Sequence, residues 1–294
     1  MEKAKVYFTS DISSEGLIKV YEALGKELKG KVAVKISTGE PGGHNFLNPN
    51  LIKNLVNKLN GTIVECNTAY EGRRLNTKDH YEAIKEHGFM DIAPCQILDE
   101  YEEIELEAPI RHLKGKNIVG KHIEEYDSML ILSHFKGHPM GGMGGALKNM
   151  SIGLASTRGK AWIHSSGNTT DTKEMWNYFG NQTEFLESMA EACKAIVDHM
   201  KEENLLYINV ANKLSIDCDC NAHPKDPEMA DIGIYASTDP VALDQCCYDA
   251  IINSLDEGKE SLVNRMKEKN AIHIVEEAHK LGLGSRDYEI INID

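Results

Sequence analysis

The sequence lacks long apolar runs and has little positive charge. No stretch approaches the roughly 20 consecutive apolar residues that a membrane-spanning helix needs, and residues 1–8 contain no apolar signal region or cleavage site. Lysine and arginine total 32 against 46 acidic residues, a net charge of −14 that argues against nucleic acid or an anionic membrane as the main partner. Seven cysteines, an odd number without a secretory signal, indicate reduced thiols. We therefore expect a cytoplasmic protein that binds neither nucleic acid nor membrane.

Short strand-like runs alternate with amphipathic helical segments along the 294 residues. This alternation is typical of an α/β fold with a mainly parallel sheet flanked by helices. The sequence predicts one domain over residues 1–294, with two lobes sharing one core as an alternative and a soft boundary near 95–125. The clearest predicted strands cover residues 31–36, 61–66, 129–132, 205–210 and 231–236, and the clearest helices cover 13–28, 49–59, 77–87, 184–201 and 240–252.

Three polar, glycine-bearing loops, at 37–46, 67–74 and 133–145, each follow a predicted strand. Because ligands of open α/β sheets collect outside the carboxyl ends of the strands, these loops can share one rim. The cationic residues Lys35, Arg73 and Arg74 are candidates to bind an anionic substrate at this rim. The alternative for the two arginines is a solvated surface loop.

The segment 127–168 concentrates the residues that carry chemistry. A short apolar run, 129–132, leads into a loop with His134, Lys136 and His138, then four glycines, then Lys148. Glycines between a strand and a helix let backbone N–H groups approach a ligand, so Gly144 and Gly145 are candidate substrate-binding residues. The candidate catalytic residues are His134, Lys136, His138 and Lys148. The segment 160–164, which ends at the candidate metal ligand His164, is expected to be extended.

A second cluster, Cys218, Cys220 and His223, places two thiols and an imidazole within six residues. Such soft ligands suit zinc or iron. The sequence leaves two positions open for one metal ion, either near His134, His138 and His164 or at this cluster. The alternative interpretation is a polar loop with incidental reduced cysteines.

Several motifs in order along the chain resemble the domain-of-unknown-function family 362, an uncharacterised, iron–sulfur-associated family that is common in anaerobic bacteria and archaea. They are Asn-Thr-Ala-Tyr-Glu-Gly-Arg-Arg at 67–74, His-Phe-Lys-Gly-His at 134–138, Gly-Gly-Ala-Leu-Lys-Asn at 144–149, Asp-Cys-Asp-Cys at 217–220 and the run at 231–245. The resemblance covers nearly the whole chain but implies no established reaction.

Many members of that family carry a ferredoxin-like insert with repeated Cys-x-x-Cys after the His-Ser-Ser stretch at 164–166. Residues 167–184 contain no cysteine, so the chain lacks the thiolates of a ferredoxin-type 4Fe–4S cluster. By this resemblance the shared core does the chemistry, and the insert supplies electrons in other members.

These observations predict a metal-dependent enzyme, with a redox-linked reaction as one option, in which zinc or iron acts on a small anionic substrate. No nicotinamide or flavin motif supports the redox option. The alternatives are a non-enzymatic protein that handles metal or iron–sulfur clusters or serves a redox partner protein in electron transfer, and an anion-binding protein without metal.

Overall fold

A computed structural model describes residues 3–294 and is organised around an eight-stranded sheet. In chain order the strands are β1 (Ala4–Thr9), β2 (Val32–Lys35), β3 (Thr62–Glu65), β4 (Cys95–Ile97), β5 (Glu103–Glu107), β6 (Lys116–Gly120), β7 (Ser128–His134), β8 (Lys136–His138), β9 (Gly142–Gly144), β10 (Leu205–Ala211), β11 (Gly233–Ser237) and β12 (Tyr288–Asn292). The large sheet has the order β12-β1-β11-β10-β7-β2-β3-β4.

Most neighbours in this sheet run parallel. β10, β7, β2, β3 and β4 pair in parallel, and β12 pairs in parallel with β1. β11 alone among the described strands of the large sheet is antiparallel to both neighbours. The hairpins β5–β6 and β8–β9 form two small separate sheets. The α/β class and the mainly parallel sheet are confirmed.

Helices cover both faces of the large sheet. Within residues 3–294 they are α1 (Ser14–Ala23), α2 (Pro49–Lys58), α3 (Thr77–Glu86), α4 (Ala146–Ser151), α5 (Thr157–His164), α6 (Gln182–Met200), α7 (Pro240–Asn253), α8 (Glu260–Glu268) and α9 (His273–Lys280). Side chains of Ser13, Asn48, Asn76, Asn181 and Asp239 accept hydrogen bonds from the first backbone N–H groups of α1, α2, α3, α6 and α7, which fixes where these helices begin. None of the helices in the described range is long and apolar enough to cross a membrane.

The run Met129–Leu132 in β7 is buried on both sides of the sheet. Met129 and Ile131 pack into the core that includes Phe185 of α6, whereas Leu130 and Leu132 pack into the core that includes Leu17 of α1. Successive side chains of a strand point to opposite faces, so a continuous apolar run is what a central strand with helices on both sides requires.

The extended conformation expected for residues 160–164 is wrong, because these residues lie in the helix α5. The Ser156 side chain accepts a hydrogen bond from the backbone N–H of Gly159 and so starts the helix. The helix buries Ala161 and Ile163 completely and brings Lys160 and His164 to the same side of the molecule as the loops at the strand ends.

Candidate functional site

A cavity lies at the carboxyl ends of β2, β3 and β7. It is lined from all three loops that the sequence placed at this rim, and also by α4, α5 and the Cys218–Cys220 segment. The volume of the cavity that the centre of a water molecule can occupy is about 140 Å³. The cavity therefore suits a small molecule.

His138, Cys218 and Cys220 meet at the wall of this cavity. One ligand atom from each, an imidazole nitrogen or a sulfur, lies within 4.8 Å of the other two. His138 and Cys218 are buried and Cys220 is half-buried. The structure thus brings one histidine of the first predicted metal position together with two cysteines of the second. Two thiolates and an imidazole are a donor set that zinc and iron accept.

The orientation of the His138 ring is fixed through Nδ1. This atom accepts hydrogen bonds from the backbone N–H groups of Met140, at 3.2 Å, and Gly141, at 2.9 Å. The neutral ring then carries its proton on Nε2. A neutral His138 ring could hold a metal ion at Nε2 only if its proton moved to Nδ1, which would then have to give up the two hydrogen bonds that it accepts.

Cys218 is the more acidic of the two thiols. A hydrogen bond from Cys220 holds the pKa of Cys218 well below its usual value; burial opposes this, and the charges of Lys148 and Lys136 support it. The same hydrogen bond, together with burial, raises the pKa of Cys220 well above its usual value. The Lys148 ammonium lies 3.9 Å from the Cys218 sulfur. A cysteine thiolate beside an ammonium group is both a nucleophile and a metal ligand.

Asp219, between the two cysteines, faces His134 of β7 and Lys136 of β8. Its carboxylate lies 3.0 Å from Nδ1 of His134 and 3.1 Å from Nζ of Lys136, and all three side chains are buried. Nε2 of His134 lies 2.7 Å from the carbonyl oxygen of Asn212. Both ring nitrogens of His134 therefore face oxygen acceptors, so neither has a free lone pair for a metal ion.

A second buried charge network contributes Lys35, Glu65 and Arg74 to the cavity lining. Glu65 accepts from Lys35 Nζ at 2.9 Å and lies 3.6 Å from the Arg74 guanidinium, which donates to Glu40 at 2.8 Å. Tyr70 accepts from the same guanidinium at 2.7 Å. Burial works against ionisation of Glu65, but the charges of Lys35 and Arg74 outweigh it and lower its pKa to about 2. The positive charges of Lys35 and Arg74 are thus balanced by carboxylates of the protein itself.

Arg73 and His223 lie away from the cavity wall. Arg73 is half-buried and makes a solvent-exposed two-point contact with Glu86 at 2.6 and 2.7 Å, whereas Arg74, its neighbour, is buried. His223 is exposed and is not among the cavity-lining residues. Arg73 nevertheless lines a neighbouring pocket that Cys218 and Cys220 also line, whereas His223 lines neither that pocket nor the cavity.

The glycine loop is shaped by Asp244 of α7. Asp244 accepts from the backbone N–H groups of Ala146, at 2.8 Å, and Leu147, at 2.9 Å, the first residues of α4. A Cβ atom on Gly145 would lie 2.4 Å from Asp244 Oδ1, whereas one on Gly144 would meet only Lys136 Nζ, at 3.6 Å. Gly145 is therefore needed for the close approach of a carboxylate, and the N–H groups beyond it are already occupied.

His164 and Lys160 line the cavity from α5. Nδ1 of His164 donates to the backbone carbonyl of Lys160 at 2.7 Å, which leaves Nε2 as the acceptor, and burial lowers the His164 pKa to about 4. His164 is outside the group whose ligand atoms lie within 4.8 Å of one another. Lys160, Glu65 and Asp219 were not predicted as site residues. The signals available for them were a lysine directly before the apolar residues 161–163 and two acidic residues next to cysteines.

A sequence model of the family "Domain of unknown function (DUF362)" matches residues 32–249, which is most of the chain. The chain belongs to the DUF362 family. The match begins at β2 and ends in α7, so it includes every strand end and loop that lines the cavity. Among curated proteins, comparison by sequence finds no match to this DUF362 chain.

Two solved structures resemble this DUF362 protein at low identity. The lactate racemase apoprotein from Thermoanaerobacterium thermosaccharolyticum has 16% identity and a TM-score of 0.46, over 84% of this chain and 57% of that one. A protein from Thermotoga maritima has 13% identity and a TM-score of 0.41, over 91% of this chain and 58% of that one. The chain thus spans less than two thirds of the length of either structure. At these values the similarity supports no conclusion about ligand or reaction.

Proposed function

We propose that this protein is a metal-dependent enzyme in which a zinc or iron ion held by His138, Cys218 and Cys220 acts on a small anionic molecule. The observation that carries the proposal is the convergence of these three ligand atoms, within 4.8 Å of one another, at the wall of a cavity. Three protein ligands leave a coordination position for water or substrate, which is the arrangement of catalytic rather than structural zinc sites.

The residues around the three ligands fit this role. Lys148, beside Cys218, and Lys136, on Asp219, place positive charge next to the thiolates. A bound metal ion would polarise a carbonyl or activate a water molecule. The ammonium groups would stabilise negative charge that develops on the substrate in a site shielded from solvent.

The test is metal content after anaerobic purification. We expect near-stoichiometric zinc or iron in the wild-type protein and its loss in Cys218→Ser/Cys220→Ser. Cys95→Ser is a control because Cys95 lies in β4, outside the cavity lining. His138→Ala should weaken metal binding, whereas His134→Ala should retain the metal, because both nitrogens of His134 already have partners.

One observation favours a second candidate, an anion-binding protein without metal. The thiolate of Cys218 already has a cationic partner in Lys148, and Nδ1 of His138 accepts rather than donates. In this alternative the thiolate is stabilised by the ammonium group and needs no metal. Wild-type protein that is folded, metal-free and unable to take up added zinc or ferrous iron would favour the second candidate over the first.

A further inference from the structure

Lys160 is a buried cation that lines the cavity without an acidic partner. Its residue is 7% exposed, and its Nζ donates to the backbone carbonyl oxygen of Ala155. Among residues 3–294, no carboxylate oxygen lies within 4.0 Å of Lys160 Nζ, the distance that defines an ion pair. Buried charged groups are ordinarily paired, because an isolated charge is costly to remove from water.

The other strongly buried cations of the cavity are each compensated. Lys35 contacts Glu65, Arg74 contacts Glu40, and Lys136 contacts Asp219. Lys148 is only half-buried and lies beside the Cys218 thiol. Among residues 3–294, Lys160 is therefore the strongly buried cation of the cavity that has no ion-pair partner in direct contact.

We propose that Lys160 receives the anionic group of the cavity's ligand and that this group is the carboxylate of a small molecule. The inference rests on the proposed function and names its substrate class. A carboxylate matches one ammonium group, whereas phosphate is typically held by arginine forks or several backbone N–H groups. The guanidinium of Arg74 is already engaged by Glu40 and Tyr70. The apolar side chains of Ile152, Met175 and Trp176 line the rest of the space and suit a short carbon skeleton.

Binding of such an anion should draw a proton into the protein. Burial lowers the pKa of Lys160, and nearby charges modify this effect. The titratable groups that act on it are Cys66, Asp99, Lys35, Glu65, His80 and His164. A carboxylate beside the amine favours its charged form and raises the pKa again. At pH values between the free and the bound pKa, ligand binding is therefore coupled to proton uptake.

The experiment is isothermal titration of acetate into metal-free and metal-loaded full-length protein, in two buffers with different ionisation enthalpies. The difference in heat between the buffers gives the number of protons taken up. The titration is repeated at rising pH. We expect the wild type to bind acetate in both metal states and to take up more protons as the pH approaches the pKa of free Lys160, which burial lowers. Lys160→Met should weaken binding by about tenfold or more, as expected for loss of a hydrogen bond to a charged group. Lys160→Arg should keep binding but abolish the uptake, because the guanidinium stays charged.

The Lys160→Arg variant keeps the test decisive if Lys160→Met does not fold. The exposed Lys53→Met is the matched control and should bind acetate like the wild type. Absence of acetate binding, unchanged binding in Lys160→Met, uptake that persists in Lys160→Arg, or preference for inorganic phosphate would each overturn the inference. Because the metal-free protein is titrated separately, acetate binding without any metal binding would instead contradict the proposed function alone.

Discussion

Nδ1 of His134 lies 3.0 Å from each carboxylate oxygen of Asp219, in a buried contact that ties β7 to the cysteine segment. Lys136 contacts the same carboxylate at 3.1 Å. Replacing Asp219 by Asn removes the ion-pair partner of the buried Lys136 ammonium. We expect Asp219→Asn to lower the free energy of unfolding by about 3–5 kcal/mol, the usual cost of removing one partner of a buried ion pair. Urea unfolding at neutral pH measures this change.

The matched control is Asp217→Asn, two residues away. The Asp217 carboxylate accepts from the backbone N–H of Lys225 in an exposed contact, so its replacement should change stability far less. Equal effects of the two substitutions would show that the Asp219 carboxylate does not hold β7 and the cysteine segment together.

Adjacent arginines should differ sharply in their effect on stability. Arg74→Met removes the cation between Glu40 and Glu65, both buried, and should cost about 3–5 kcal/mol of unfolding free energy. Arg73→Met removes only an exposed contact with Glu86, which water screens, and should leave stability nearly unchanged. Thermal and urea unfolding of the two variants measure the difference. A stable Arg74→Met protein would contradict the assignment of Arg74 to an internal charge network.

Adjacent glycines should also differ. Gly145→Ala places a methyl group 2.4 Å from Asp244 Oδ1 and forces the start of α4 to shift. Overpacking of this kind costs about 1–3 kcal/mol. Gly144→Ala meets no atom closer than 3.6 Å and should be tolerated. The two variants are compared by urea unfolding, and equal stability would mean that Asp244 can move away from the loop without loss.

Acid should destabilise the fold partly through His80. Burial lowers its pKa to about 3 from an ordinary value of 6.5, and its Nε2 has no hydrogen-bond partner among the described residues. The folded state therefore favours the neutral ring. This stabilisation is complete above pH 6.5 and is lost as the pH falls toward 3. Between pH 7 and pH 5, His80 should account for about 2 kcal/mol of the lost unfolding free energy.

The measurement is urea unfolding of wild type and His80→Gln at pH 7 and pH 5. The loss of stability on acidification should be smaller in the variant by that amount. His199→Gln, which changes an exposed histidine, should lose as much stability as the wild type. Identical losses in His80→Gln and wild type would contradict a neutral, buried His80.

The order and type of the main elements could be predicted because their patterns are local. The apolar run at 129–132 and the amphipathic helices at 49–59 and 240–252 are each visible within one short segment. Residues 160–164 were mispredicted because a short apolar run does not distinguish a strand from a buried helix. The cap at Ser156, four residues earlier, was the missed signal.

The composition of the site was harder to predict because it depends on contacts between distant segments. His138 meets Cys218 and Cys220 across 80 residues of chain, and the sequence offered each only its local neighbours as partners. Local spacing suggested His134 and His223. In the structure both ring nitrogens of His134 face oxygen acceptors, and His223 is exposed.

The most direct test of the account is K-edge X-ray absorption of the protein loaded with one equivalent of zinc. The proposed site predicts two sulfur ligands at about 2.3 Å, at least one imidazole nitrogen at about 2.0–2.1 Å and a further light atom in the open position. In Cys218→Ser/Cys220→Ser the sulfur signal should disappear. A shell of nitrogen and oxygen alone in the wild-type protein, or no stoichiometric binding of zinc or ferrous iron, would contradict a metal centre at His138, Cys218 and Cys220.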